Sequence, residues 1–70
     1  MFQLDDLVRI VNPNHYSFGF EGKIIKIEKV MGESTKYTIG KTIGVTYYRR
    51  EVYEYEIELI KKPTIYRNRL

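Results

Sequence analysis

Few side chains of this sequence are suited to catalysis. His15 is the single histidine, the chain has no cysteine, and Ser17 and Ser34 are its two serines. His15 and Ser17 lie two residues apart, but the surrounding sequence gives no signal for a carboxylate that would orient the imidazole, as a nucleophile–base pair requires. We therefore expect His15 to hydrogen-bond within its loop, and we expect the protein not to be an enzyme.

The sequence also lacks the patterns typical of a metal site or of a phosphate-binding loop. One histidine without cysteine supplies too few ligands for a zinc site, and Asp5, Asp6 and Glu51 lack the spacing of a calcium loop. The stretch "GKTIG", residues 40–44, contains the Gly-Lys-Thr of a phosphate-binding loop, but Thr35 stands where that motif requires its first glycine. We expect neither metal nor cofactor, and we interpret residues 40–44 as a bend between two strands.

Side chains suited to binding are more abundant. The chain holds seven tyrosines and three phenylalanines, more rings than so small a core can hide. Neighbouring residues of a strand point to opposite faces, so at least one of Tyr47 and Tyr48 should be exposed. Tyrosine and arginine are favoured at binding surfaces; the alternative is that the outward rings cover backbone and the arginines form a solvated turn. The residues predicted to bind a protein partner are Tyr16, Phe18, Tyr47, Tyr48, Arg49 and Arg50.

Basic residues are concentrated at the carboxyl end of the chain. Residues 61–70 hold four basic side chains and no acid, so that the net charge of +3 falls to −1 for the first 60 residues. We expect a flexible basic tail, which either attracts phosphate or is a solvated terminus. Against nucleic-acid binding, Glu54, Glu56 and Glu58 would repel a phosphate chain on their face. The residues of this alternative nucleic-acid interface are Arg49, Arg50, Lys61, Lys62, Arg67 and Arg69.

The elements that position these residues are predicted to be strands. Tyr, Ile, Thr and Val dominate the sequence and alanine is absent, which favours strands over helices. The first strands are predicted at 6–11, 22–30, 35–39 and from 45 onward. Alternation places Val8 and Ile10 on one face of the first strand, and Tyr37 and Ile39 on one face of the third.

Residues 48–60 allow two interpretations. Alternating tyrosine, glutamate and aliphatic residues over 53–59 predict a single amphipathic strand, preceded by a hairpin turn at 48–51. In the alternative, the fourth strand continues to about Val52, a short helical turn follows at 54–56, and residues 57–60 form a brief fifth strand. Either interpretation gives an all-β domain.

The stretch "DLVRIVNPNHYSFGFEGKIIKI", residues 6–27, resembles a KOW motif in an SH3-like barrel, and "YEIELI", residues 55–60, is similar to the ending of such domains. The matching residues are Asp6, Val8, Ile10, Gly19, Gly22, Lys23, Ile24 and Ile27. The resemblance implies a small five-stranded antiparallel SH3-like barrel over residues 1–60, followed by the basic tail at 61–70. It also favours the second interpretation of residues 48–60.

The resemblance further implies that the loop between the first two strands covers an open end of the barrel. Some of Tyr16, Phe18 and Phe20 would then plug that end. Gly19 and Gly22 are the structural glycines of this loop, with Gly22 taking a backbone shape that lets the chain re-enter the sheet. Members of this superfold bind RNA, bind peptides or form parts of larger enzymes, and small barrels of this kind occur in phage and mobile-element genomes.

These observations predict a non-catalytic binding module that docks a protein partner through its aromatic loop and a strand surface. The alternative is a barrel that binds RNA or single-stranded DNA. No apolar run approaches the length of a membrane span and no signal peptide is recognisable, so we expect a cytoplasmic protein. We expect a monomer, or a weak homodimer joined through an edge strand.

Overall fold

Five antiparallel strands form one sheet in the computed structural model, which describes residues 1–29, 31–32 and 34–64. The strands are β1 (Leu7–Ile10), β2 (Glu21–Glu28), β3 (Lys36–Ile43), β4 (Thr46–Tyr53) and β5 (Ile57–Lys61), with one 3-10 turn at Glu54–Glu56. The all-β prediction with five antiparallel strands is confirmed. Within the described ranges no helix has the length and apolarity needed to cross a membrane.

The sheet has the strand order β4-β3-β2-β1-β5. In the described part of the chain, β4 and β5 each pair with one neighbour, so both are edge strands. The pairing of β2 with β3 shifts between Ile24 and Lys26, and the pairing of β1 with β5 shifts between Leu7 and Val8. Such irregularities bend and twist a strand, which lets one sheet wrap around a small core.

The core consists of seven side chains that come from all five strands. Its buried apolar residues are Val8, Ile10, Ile24, Tyr37, Ile39, Val52 and Ile57, and the half-buried Phe2, Phe20 and Ile27 pack against them. The predicted inward faces of the first and third strands are confirmed. Tyr37 is buried at the ring, but its hydroxyl accepts from the Phe2 amide at 3.1 Å and donates to Glu54 at 2.9 Å.

The β3–β4 hairpin is longer than the sequence predicted. The predicted bend at 40–44 is wrong, because β3 runs through Gly40 to Ile43 and the chain reverses at Gly44–Val45. Gly44 has φ +63° and is the first central residue of this two-residue connection, as in a type II′ turn. At Gly40 a Cβ would overlap the hydroxyl of Tyr47, so any other residue there would displace that ring.

The interpretation of residues 53–59 as one alternating strand is wrong, and so is the hairpin turn at 48–51. The alternative is confirmed: β4 reaches Tyr53, a 3-10 turn follows, and β5 begins at Ile57. The physical reason is that Glu56 does not face solvent. Its buried carboxylate accepts from the Tyr53 amide at 2.9 Å and from the Asn12 side chain at 3.0 Å, which fixes the turn.

The two glycines of the first loop act differently from the prediction. Gly19 has φ +89° and provides the left-handed backbone of the loop. Gly22 lies inside β2 without a positive φ, so the unusual backbone shape expected there is absent. A Cβ on Gly22 would come within 2.7 Å of the Gly40 carbonyl oxygen, and glycine is therefore needed for close approach of β2 and β3.

Asp6 ties the beginning of the described chain to its end. Its carboxylate is 1% exposed, accepts from the Gln3 amide at 2.9 Å and lies 3.1 Å from Lys62 Nζ through both oxygens. The structure therefore places Lys61 in β5 and Lys62 on Asp6, where the sequence predicted a tail from 61 onward. Arg67 and Arg69 lie outside the described residues.

Acid should weaken the fold through Asp6. Burial alone would raise the pKa of Asp6, but the Gln3 amide and the hydrogen bond and charge of Lys62 outweigh it and hold the pKa below its ordinary value. The unfolded carboxyl titrates near a pKa of about 3.9. The stabilisation is therefore complete above about pH 4 and is lost as the pH falls through the lower folded-state pKa.

We expect the free energy of unfolding, measured by urea denaturation, to fall between about pH 4 and pH 2 more steeply in the wild type than in Asp6→Asn. Asp5→Asn is the matched control, because Asp5 is exposed and its φ of +70° suits asparagine. That variant should keep the wild-type pH dependence. Equal pH dependence in Asp6→Asn and the wild type would show that Asp6 is not the group whose protonation weakens the fold.

Candidate binding surface

The loop between β1 and β2 is held in a compact shape by its own hydrogen bonds. The amide of His15 donates to the Asn12 carbonyl at 3.0 Å, and the amide of Phe18 donates to the His15 carbonyl at 3.0 Å. The Phe20 amide donates to the Ser17 carbonyl and the Gly19 amide to the Ile10 carbonyl, both at 2.9 Å. Successive turns therefore satisfy the backbone of the loop and anchor it to the end of β1.

His15 joins this loop to the edge of the sheet. Its Nδ1 accepts from the Ser17 amide at 2.9 Å, which confirms the predicted local hydrogen bond. The opposite nitrogen, Nε2, lies 3.2 Å from the Glu51 carbonyl oxygen on β4. Because Nδ1 accepts, the proton belongs on Nε2 and is donated to that carbonyl. Both ring nitrogens thus have structural partners.

Arg50 is the second link between the loop and β4, and the stronger one. Its Nε donates to Ser17 Oγ at 2.6 Å, and its NH1 donates to the Arg49 carbonyl at 2.7 Å. The guanidinium carbon lies 5.0 Å from the ring centroid of Phe20, 5.7 Å from that of Tyr16 and 5.9 Å from that of Tyr48. A cation among three aromatic rings is attracted by each of them, so Arg50 organises the surface around it.

The rings of the loop divide between core and solvent. Phe20 is half-buried against the core, as the plug of the sheet was expected to be. Tyr16 is 81% exposed and Phe18 is 60% exposed, so Phe20 is the one of these three rings that packs against the core. The core is already covered at its margins by Phe2, Phe20 and Ile27, which leaves Tyr16 and Phe18 on the outside.

The far half of the β3–β4 hairpin carries exposed side chains on both faces. Lys41 pairs with Tyr48, and Ile43 with Thr46, so that Tyr48 and Ile43 are diagonal neighbours on the face that bears Arg50. We call Tyr16, Arg50, Tyr48 and Ile43 the aromatic strip. Ile43 is 54% exposed and Tyr48 37%, and the strip runs from the loop toward the hairpin end.

The six residues predicted to bind a protein partner are thus only partly brought together. Tyr16, Tyr48 and Arg50 meet, and Phe18 belongs to the same loop. Tyr47 and Arg49 lie on the opposite face of β4 by alternation, although Arg49 lines an open cleft of about 800 Å³ together with Tyr16 and Arg50. No local pattern could identify Ser17 and Phe20 as partners of Arg50, because 30 or more residues separate them from it.

The residues of the alternative nucleic-acid interface do not form one cluster in the described part of the chain. Arg49 and Arg50 lie on β4, Lys61 lies on β5, and these two strands are opposite edges of the sheet. Lys62 is engaged by Asp6.

No cluster of three or more potential metal ligands occurs among the residues that the structure describes. Comparisons with protein-family models, with curated proteins and with solved structures found no match for this chain.

Replacing Arg50 by lysine should loosen the loop. Lysine keeps the charge but cannot present the planar fork that reaches Ser17 Oγ and the Arg49 carbonyl while it stacks on rings. We expect Arg50→Lys to lower the free energy of unfolding by about 1–2 kcal/mol in urea denaturation. The control is Arg49→Lys, which removes no side-chain bond seen in the described residues and should stay within about 0.5 kcal/mol. An equal loss of unfolding free energy in Arg50→Lys and Arg49→Lys would contradict the proposal that Arg50 holds the loop on β4.

Proposed function

We propose that this protein is a non-catalytic binding module whose aromatic strip docks an extended, apolar segment of a protein partner. The observation that carries the proposal is the position of Tyr16. Its ring is 81% exposed, stacks on His15 with centroids 4.6 Å apart, and lies against the guanidinium of Arg50. A large exposed ring held this firmly is suited to contact.

The firm placement matters because ordering side chains at an interface costs free energy. A rigid ring loses little rotamer freedom when a partner arrives, and so more of the contact energy appears as affinity. Tyr48 and Ile43 extend the apolar surface along the hairpin, and Val45 at its end is fully exposed. An extended segment could follow this strip from the loop to the turn.

The strip is better suited to an apolar segment than to phosphate. The guanidinium of Arg50 already donates to Ser17 and to the Arg49 carbonyl, and its plane is flanked by rings. A phosphate would have to displace these partners before it could accept a bidentate pair of hydrogen bonds. The surface thus offers rings and aliphatic carbon more readily than free donors.

The proposal includes the SH3-like barrel that the KOW resemblance implies. It is supported by the five-stranded antiparallel order, by the irregularities that bend β2 and β5, and by the 3-10 turn before the last strand. The aromatic strip would border the cleft on this barrel that Tyr16, Arg49 and Arg50 line.

The test is selection of binding peptides from a random library with the full chain, followed by affinity measurement on substituted proteins. We expect apolar peptides to be selected, and Tyr16→Ala and Tyr48→Ala each to weaken binding by about tenfold or more, as for hot-spot rings. Thermal melting of both variants should stay near that of the wild type, since both rings are substantially exposed.

Tyr55→Ala is the matched control, because Tyr55 is 69% exposed but lies on the 3-10 turn. It should change peptide affinity less than about twofold. Selection of no peptide, or of peptides whose affinity is indifferent to Tyr16 and Tyr48, would contradict the proposal.

A further inference from the structure

One row of paired residues crosses all five strands on the outward face of the sheet. Lys61 of β5 pairs with Leu7 of β1, and Leu7 pairs with Lys23 of β2. Lys23 pairs with Gly40 of β3, and Gly40 with Arg49 of β4. We call these five residues the cross-strand row. Since neighbouring strands lie about 4.8 Å apart, successive cations of the row are separated by roughly 10 Å at the backbone.

The cations of the row have no carboxylate partner within the described residues, unlike Arg9, Lys26 and Lys36 on the same sheet. Arg9 pairs with Glu21 at 2.9 Å and with Glu58 at 3.7 Å. Lys36 lies within 4.0 Å of two glutamates. No such ion pair in the described ranges involves Lys23, Lys61 or Arg49. The charge of these three is therefore available to an external anion.

Four of the five residues of the row line two cavities that share Leu7 and Lys23, and Arg49 lines neither of them. A cavity of about 520 Å³ is lined by Leu7, Lys23, Gly40 and Tyr47, and the cavity beside it is lined by Leu7, Lys23 and Lys61. Lys41 adds a further cation to the first cavity, Asp5 adds an opposing charge to both, and Glu21, which is paired with Arg9, adds a second acid to the first. The cavities are thus positive toward β5, where Lys23 and Lys61 face Asp5 alone, and balanced in formal charge toward β4.

Tyr47 supplies an aromatic surface in the first of these cavities. The hydroxyl end of its ring lies directly over Gly40, where any Cβ would overlap it, and the ring remains 52% exposed. A half-exposed ring beside a track of cations is the arrangement on which single-stranded nucleic acids stack their bases.

We propose that the cross-strand row and Tyr47 bind a single-stranded nucleic acid laid across the strands. An acidic peptide fits less well, because the row runs perpendicular to the strands. The backbone groups under it are used within the sheet, so a peptide there could not add as a strand and would leave its own amides unsatisfied. A phosphodiester chain needs only charge and a stacking surface.

This site is separate from the aromatic strip. Tyr47 and Arg49 lie on the face of β4 opposite to Tyr48 and Arg50, although Arg49 also lines the cleft beside Tyr16 and Arg50. Lys23, Lys61 and Tyr47 do not belong to the strip, so their substitutions distinguish the failure of one proposal from the failure of the other.

The test measures binding of fluorescent oligothymidylate to the full chain by anisotropy at several salt concentrations. Three cations predict a slope of about −2 in log affinity against log salt, and each of Lys23→Gln, Lys61→Gln and Arg49→Gln should reduce the slope by about 0.7. Tyr47→Leu should weaken binding by about tenfold with an unchanged slope, because it removes stacking and no charge.

Lys26→Gln is the matched control, since it removes the same charge from a residue that has Glu28 3.8 Å away. It should leave the slope unchanged. The proposal is overturned if oligothymidylate does not bind at low salt, or if Lys26→Gln acts as Lys23→Gln does. It is also overturned if polyglutamate binds equally well and Tyr47→Leu has no effect, or if Arg67→Gln with Arg69→Gln alone abolishes binding.

Discussion

The guanidinium of Arg50 is the interaction on which the described surface depends. It is the point where a loop from the first quarter of the chain meets a strand from the last third, through Ser17 Oγ and the rings of Tyr16, Phe20 and Tyr48. Without it, the loop would be held to β4 by His15 and the Glu51 carbonyl. The exposed ring of Tyr16 has a fixed position because Arg50 gives it one.

A sheet with only seven buried apolar residues needs further ties, and these are polar. Asp6 with Lys62, Glu56 with Asn12, and Tyr37 with Glu54 each connect segments that are distant in sequence. Among the described residues every buried side-chain polar atom has a hydrogen-bond partner. The desolvation cost of burying these groups is therefore offset by the hydrogen bonds that they form. Burial raises the pKa of Tyr37, and the hydrogen bond and charge of Glu54 raise it further.

The sequence predicted the parts of the fold that depend on local alternation. The inward positions of Val8, Ile10, Tyr37 and Ile39 follow from period-two patterning, which is a property of each strand alone. Period-two patterning wrongly predicted one strand through the glutamates after Tyr53, because alternation cannot distinguish a carboxylate that faces water from one that caps a turn. Glu56 is the second kind.

Prediction of the candidate sites would have required knowledge of contacts between residues that are distant in sequence. The contact of Arg50 with Ser17 spans 33 residues, and no spacing rule connects them. The cross-strand row depends on the register of four strand pairs, which hydrophobic patterning alone did not specify. The surroundings of Gly40 could not be predicted for the same reason. Its sequence context suggested a bend, and in the structure it lies under the ring of Tyr47 on the neighbouring strand.

Native-state amide hydrogen exchange of the loop between β1 and β2 measures how firmly Arg50 and His15 hold it on the sheet. If Arg50 and His15 hold the loop on the sheet, the amides of Gly19 and Phe20, which donate to Ile10 and Ser17, should exchange with free energies close to those of β3 amides. Exchange of these two amides at the rates of an unstructured peptide, while β3 remains protected, would contradict the account.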